Sequence, residues 1–179
     1  MINFGKYRYD EHLESERLST RKLVIDDVPA WSVFFEDYQA TRFLPDHNFP
    51  NTEARAKDWI VRQLNRYQDG LYGLQALILK DTGEFIGMCG LITQDVEGVQ
   101  ELEIGYHLFK EFRGKGYATE AAQLFKHYAF TQQLNESVIS IIHEKNTDSR
   151  KVAQRNGMTL EKACFWRNLN VVIYRAFAR

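Results

Sequence analysis

Glu101-Leu102-Glu103-Ile104-Gly105-Tyr106-His107-Leu108, a connector from Phe109 to Phe112, and then Arg113-Gly114-Lys115-Gly116-Tyr117-Ala118-Thr119-Glu120-Ala121-Ala122 form the stretch on which the fold turns. It reads as strand, glycine loop, helix. Leu102, Ile104, Tyr106 and Leu108 share one face of a period-2 strand, with Glu101, Glu103, Gly105 and His107 on the other. From Ala118 the period changes. Ala118, Ala121, Ala122, Phe125 and Ala129 follow the i, i+3, i+4, i+7 rule of a helix with one buried stripe. Between the two elements, Gly114 and Gly116 leave the backbone open to an anion, which the amides of a helix N-terminus would receive. The loop fits neither a Walker A sequence, for want of Ser or Thr after the lysine, nor the three-glycine dinucleotide turn.

Working outward, Arg17 to Lys22 alternates as an edge strand. Asp26 or Asp27 caps a helix that has Pro29 in its first turn and Trp31, Phe34, Phe35 and Tyr38 on its apolar face. Residues 44–50 carry two prolines and read as a loop. Asn51 or Thr52 then opens a helix with Ala56, Trp59, Ile60, Leu64 and Tyr67 on one face, ending at Asp69-Gly70. Tyr72 to Lys80 and Glu84 to Thr93 are apolar runs joined by Asp81-Thr82-Gly83, a hairpin covered on both faces. Gln94 to Val99 reads as a six-residue turn. Ser137 to His143 is a short strand, parallel to the Glu101 strand if the intervening helix is a crossover. Asn146 or Thr147 caps a last helix, Gly157 ends it, and Met158 to Arg167 with Leu169 to Phe177 close the chain as a hairpin joined at Asn168.

The totals bound the function classes. A chain of 179 residues is the size of one domain, here 1–179, and 23 basic against 24 acidic residues give a formal charge of −1. No bulk field draws such a chain to nucleic acid or an anionic membrane, so any basic site must be local. Cys89 and Cys164, each inside an apolar run, read as buried thiols of a reducing cytosol, and no Cys/His spacing suits a metal. The opening residues lack the apolar core of a signal peptide and no 18-residue apolar run occurs, so a soluble cytoplasmic protein is expected. Aromatics in the first ten residues and the closing hairpin leave both a monomer and a homodimer open.

Glu-Ile-Gly-Tyr at 103–106 followed by Arg-Gly-Lys-Gly-Tyr-Ala-Thr-Glu-Ala at 113–121 resembles the acyl-CoA-binding core of the GCN5-related N-acetyltransferases (GNAT), and most of all the branch like the RimJ/RimL ribosomal-protein N-terminal acetyltransferases. The opening from Glu16 to Leu44 is similar to that branch as well, and Asn146, Ser149, Val152 and Gly157-Met158 resemble the family's second block. Glu111 departs from the Gln or Arg common there, and Met158 from the usual Phe. The resemblance implies an α+β fold: a mixed, mostly antiparallel twisted sheet of six or seven strands flanked by about four helices, with one splayed parallel pair, the Glu101 and Ser137 strands. It implies acetyl-CoA as acyl donor, with no metal, and an amine acceptor that is a protein N-terminus or a small amine.

On that resemblance the pantetheine arm pairs with the backbone of Ile104, Tyr106 and Leu108, while Gly114, Gly116, Tyr117 and Ala118 hold the pyrophosphate through amides. Arg113 and Lys115 flank it, Lys110 and Arg150 are lesser candidates, and Asn146 orients the pantetheine or the acceptor. Residues 44–50 gate the substrate. Glu103 is the expected general base, with His107 a rival on the same face, and Ser149 the expected proton donor to the leaving thiolate. Ordinary duties compete: Glu103 as a solvated or paired strand residue, Ser149 as a first-turn residue, Asn146 as a cap. An α-amine of pKa about 7.7–8.0 costs about 1 kcal/mol to deprotonate at pH 7, whereas a lysine amine near 10.4 costs over about 4 kcal/mol. Two other readings were open to this sequence: an inactive CoA-binding sensor or scaffold, and a nucleotide-binding protein.

Overall fold

The computed structural model describes residues 10–45 and 48–178. Seven strands form one sheet: β1 (Leu18–Arg21), β2 (Leu74–Leu79), β3 (Phe85–Val96), β4 (Val99–Leu108), β5 (Ser137–His143), β6 (Thr159–Trp166) and β7 (Leu169–Phe177). Their spatial order is β1-β2-β3-β4-β5-β7-β6, antiparallel throughout except where β4 meets β5. Five α-helices accompany them among the described residues: α1 (Val28–Phe34), α2 (Tyr38–Thr41), α3 (Thr52–Gln68), α4 (Tyr117–Thr131) and α5 (Thr147–Arg155). None is long and apolar enough to cross a membrane.

The alternation read from β4 separates two cores. Leu102, Ile104 and Leu108, with Tyr106 beside them, pack against Ala121, Ala122, Phe125 and Ala129 of α4. The opposite face of the sheet carries Leu74, Ala76 and Met88 beneath α1 and α3. Trp31 anchors that layer: it is fully buried, stacked on Phe34 at 4.4 Å and edge-on to Phe109 at 5.4 Å. Capping follows the sequence at α3 and α5. Asn51 Oδ1 accepts Ala54 N–H at 2.8 Å and Asn146 Oδ1 accepts Ser149 N–H at 3.1 Å, whereas Asp27 stands at the start of α1 without capping it, its carboxylate being held by Arg21 and the Val24 N–H.

Three details differ from the sequence reading. The α1 face stops at Phe35, because Asp37 caps a new helix by accepting Gln39 N–H, and Tyr38 is left exposed. The turn expected over Gln94 to Val99 contracts to Glu97-Gly98, both at positive φ, and β3 runs on to Val96. Gln94 and Asp95 are polar yet remain in the ladder, opposite Glu101 and Gln100. Of the two free thiols Cys89 is buried, while Cys164 on β6, a strand whose residues are alternately exposed, is half-buried. The aromatics of residues 1–9 lie outside the described residues, as do Asp46 and His47.

Close approach, not only turn geometry, fixes one glycine. A Cβ on Gly87 of β3 would lie 2.2 Å from the His107 carbonyl oxygen and 2.8 Å from Leu108 Cα. Gly87→Ala is therefore expected to destabilise the fold by at least about 2 kcal/mol in urea denaturation, by forcing β3 away from the functional end of β4.

Candidate acetyl-transfer site

Strands β4 and β5 are hydrogen-bonded partners at one register position, Glu103 opposite Ile139, and the ladder then stops. Side chains occupy the widening gap. Ser140 Oγ donates to the Ile104 carbonyl at 3.0 Å, and the Ile141 backbone N–H, which continued register would set opposite Gly105, bonds the Glu103 carboxylate instead. Beyond that point β4 keeps its pairing with β3 as far as Leu108, but its β5-facing edge is open. A parallel pair interrupted in this way offers backbone donors and acceptors to a ligand lying as an extra strand.

The opening holds a cleft of about 480 Å³. Tyr106, Leu108, Gly114, Gly116, Asn146 and Ser149 line it, with Arg113, Tyr117 and Ala118. Gly114 and Gly116 have φ of 77° and 88°, and Gly116 is the residue from which α4 starts. The first i to i−4 bond of α4 runs from Glu120 N–H to the Gly116 carbonyl, so the amides of Tyr117, Ala118 and Thr119 have no partner within the helix. Arg17 holds the loop from behind. Its guanidinium donates to Glu120 at 2.7 Å and to the Lys115 carbonyl at 3.1 Å, and lies over the Tyr117 ring.

Not every expected cofactor residue faces the cleft. Ile104 is buried in the α4 core and meets the opening through its carbonyl, and Lys115 lies over the Phe112 ring. Arg113 lines the cleft but donates to the Leu108 carbonyl at 2.8 and 3.0 Å and pairs with Asp37 at 2.7 Å, tying α2 to the loop. Lys110 lies outside the cleft. Arg150 donates to the Tyr174 hydroxyl and the Glu144 carbonyl. Arg42, Lys151 and Arg155 do line it, and sequence reading did not single them out. Basic residues on exposed helix faces carry no local signal that distinguishes a ligand contact from a solvated one. Ser149 stands at the mouth, where its carbonyl accepts the Tyr106 hydroxyl at 2.8 Å. Burial pushes that phenol well above its usual range, so Tyr106 stays neutral.

A second pocket of about 240 Å³ opens on the other side of β4, lined by Glu103, Gly105 and His107. It shares Phe43 and His107 with the cleft, so the two meet at the splay. Leu44, Pro45 and Phe49 of the expected gating segment line it, and Phe43 reaches across to the His143 ring at 5.0 Å. Glu103 is 9% exposed and accepts Gln94 Nε2 at 2.8 Å. Burial raises its pKa against the opposing pull of Gln94, the Ile141 amide, Arg167 and Arg66. His107 sits edge-on to Trp59 at 5.1 Å and Phe34 at 5.7 Å, and burial, aided by Arg113, pushes its pKa down to about 4. Burial thus moves the two rivals in opposite directions, raising the proton affinity of Glu103 and lowering that of His107.

The family model described as an "Acetyltransferase (GNAT) domain" matches residues 17–159, the span that holds this splayed sheet. The chain belongs to this family and is an N-acetyltransferase by class. It is 30% identical over 152 residues to the uncharacterized N-acetyltransferase p20 of Bacillus licheniformis, covering 85% of this chain and 83% of that one. Among solved structures it is similar to an acetyltransferase from Agrobacterium tumefaciens, at 26% identity and a TM-score of 0.79 over 96% of this chain and 97% of that one. The fold is shared with RimL, the ribosomal L7/L12 α-N-protein acetyltransferase solved with coenzyme A, at a TM-score of 0.73 and 18% identity over 91% and 95% of the chains.

The half-buried imidazole has a consequence for stability. Folding holds His107 neutral down to about pH 4, whereas in the unfolded chain it takes up a proton near pH 6.5. Between those values the unfolded state binds more protons, so stability falls as pH falls. Relative to His107→Gln, the wild type should lose up to about 3 kcal/mol of unfolding free energy between pH 7 and pH 4. Urea titrations of the two proteins at several pH values measure the difference.

Proposed function

We propose that this chain moves an acetyl group from acetyl-CoA directly to a primary amine in a ternary complex. The observation that carries the reading is the end of the β4–β5 ladder at Glu103 and Ile139. It leaves an open strand edge with a glycine loop at one end and a buried carboxylate at the other. In this reading the phosphates lie on the amides of Gly114, Gly116, Tyr117 and Ala118, with Lys151 and Arg155 alongside, and the pantetheine follows β4 from Leu108 toward Tyr106 and Ile104.

The amine enters from the Glu103 pocket and gives its proton to the carboxylate, directly or through a water. Its nitrogen attacks the thioester carbon, whose oxygen a β4 amide polarises, the new C–N bond forms and the C–S bond breaks. Ser149 supplies the proton that neutralises the thiolate, and Asn146, while capping α5, orients the pantetheine from the cleft wall. Phe43, Leu44, Pro45 and Phe49 line the pocket on the acceptor's side. A protein N-terminal α-amine is the acceptor that asks least of Glu103, and the RimJ/RimL-like reading rests on the shared fold of RimL. One domain acting in the cytoplasm fits the free thiols and the absence of any apolar spanning helix among the described residues.

Calorimetric titration with acetyl-CoA, CoA and ATP, followed by thiol release over an amine panel, tests the reading. Micromolar binding of acetyl-CoA and turnover on at least one amine are expected, with ATP silent. Glu103→Gln should keep acetyl-CoA affinity while kcat falls by about 10²–10⁴-fold. Gly116→Glu should abolish cofactor binding, since it sets a side chain and a like charge where the phosphates belong. Unchanged affinity in that variant, or unchanged kcat in Glu103→Gln, contradicts the assignment.

A further inference from the structure

The acceptor pocket has an unbalanced lining. Arg55, Arg62 and Arg66 enter it from α3 and Arg167 from the β6–β7 turn, against Glu103 as the one acidic lining residue among those described. Arg62 is accounted for, paired with Asp58 at 2.8 Å and lying over Trp59. Arg66 and Arg167 are not. Arg66 donates to the Tyr72 carbonyl at 3.2 Å, the Thr93 hydroxyl at 3.4 Å and the Thr93 carbonyl at 3.3 Å, all neutral acceptors. Arg167 donates to the Gln94 amide oxygen at 3.1 Å and lies over the Trp166 ring. Among the described residues neither has a carboxylate within ion-pair distance. Burial first, and then the neighbouring charges of Arg167 and Arg62, lower the pKa of Arg66, with the Glu103 carboxylate pulling the other way from beyond ion-pair distance.

Gln94 connects this basic wall to the reacting end. Its Oε1 accepts from Arg167 and its Nε2 donates to Glu103 at 2.8 Å, so cation and base stand one amide group apart. We infer that the acceptor carries an anionic group, a carboxylate or a phosphoryl, within a few bonds of its amine, seated on Arg167 and Arg66 while the amine faces Glu103. This deepens the acetyltransferase reading and rests on it. A guanidinium presents a planar fork of donors that matches carboxylate and phosphate oxygens, and both arginines already fix part of that fork on the protein. An acceptor with a second cation, a polyamine for example, would instead meet like charge on that wall. Free amino acids and peptides with an acidic first residue share the required chemistry.

The experiment titrates CoA-saturated protein, read by calorimetry, with pairs that differ only at the anion: β-alanine against β-alaninamide, aminoethylphosphonate against ethanolamine, and an Asp-led against an Asn-led tripeptide amide. At least about tenfold tighter binding of the anionic member is expected in one of the three pairs, the preferred pair distinguishing a small acceptor from a peptide. Arg167→Gln should shrink that preference to about twofold or less, and Arg167→Lys should restore part of it. Arg66→Gln provides a second variant from a different element. Equal binding within every pair, tighter binding of the uncharged members, or a preference that survives both glutamine variants overturns the inference. Thiol release from acetyl-CoA with the same acceptors, in samples without added CoA, separates the two claims: transfer without anion preference removes only the inference, and anion preference without acetyl-CoA binding removes the transferase reading.

Discussion

A parallel strand pair that stops bonding after one register position is the constraint on which the rest of this molecule depends. Backbone donors and acceptors buried without partners cost free energy, so a sheet does not open in its middle unless something takes the place of the ladder. Here two groups do so, the Ser140 hydroxyl on the Ile104 carbonyl and the Glu103 carboxylate on the Ile141 amide, while the Tyr106 hydroxyl ties β4 to α5 through the Ser149 carbonyl. Each props β4 apart from the elements beyond it. The cleft and the second pocket are the two sides of the same wedge, which is why they share His107 and Phe43.

The wedge also accounts for the electrostatics. Glu103 is buried because it fills the gap, and burial is what raises its proton affinity. Four residues on, His107 faces the same side but is flanked by the rings of Trp59 and Phe34, and the same physical effect lowers its proton affinity. Structure and prospective chemistry are thus set by one cause acting on two residue types of opposite charge convention.

Periodicity made much of this legible. The alternation of β4, the Ala-rich stripe of α4, the caps at Asn51 and Asn146 and the position of β5 all appear in the sequence because each is a local property of one element. What stayed hidden depends on elements distant in the chain. Gln94 looked like the start of a turn, since its partners Glu103 and Arg167 come from two other strands' surroundings. Ser140 was an unremarked polar residue in an apolar strand until Ile104 stood opposite it. Arg113 illustrates the reverse case: its place beside two glycines suggests a phosphate, yet its guanidinium is held by Leu108 and Asp37, and Asp37 gave no sign of it in the sequence. The family resemblance supplied the splay in advance, where composition and spacing are silent about it.

The central claim is that the open edge of β4 and the loop at the start of α4 receive one ligand together. Amide hydrogen exchange, followed peptide by peptide with and without saturating acetyl-CoA, addresses this directly. The account predicts that residues 104–108 and 114–119 gain protection in parallel, with ATP giving none. Protection of the loop alone, or of neither segment under saturating acetyl-CoA, would contradict it.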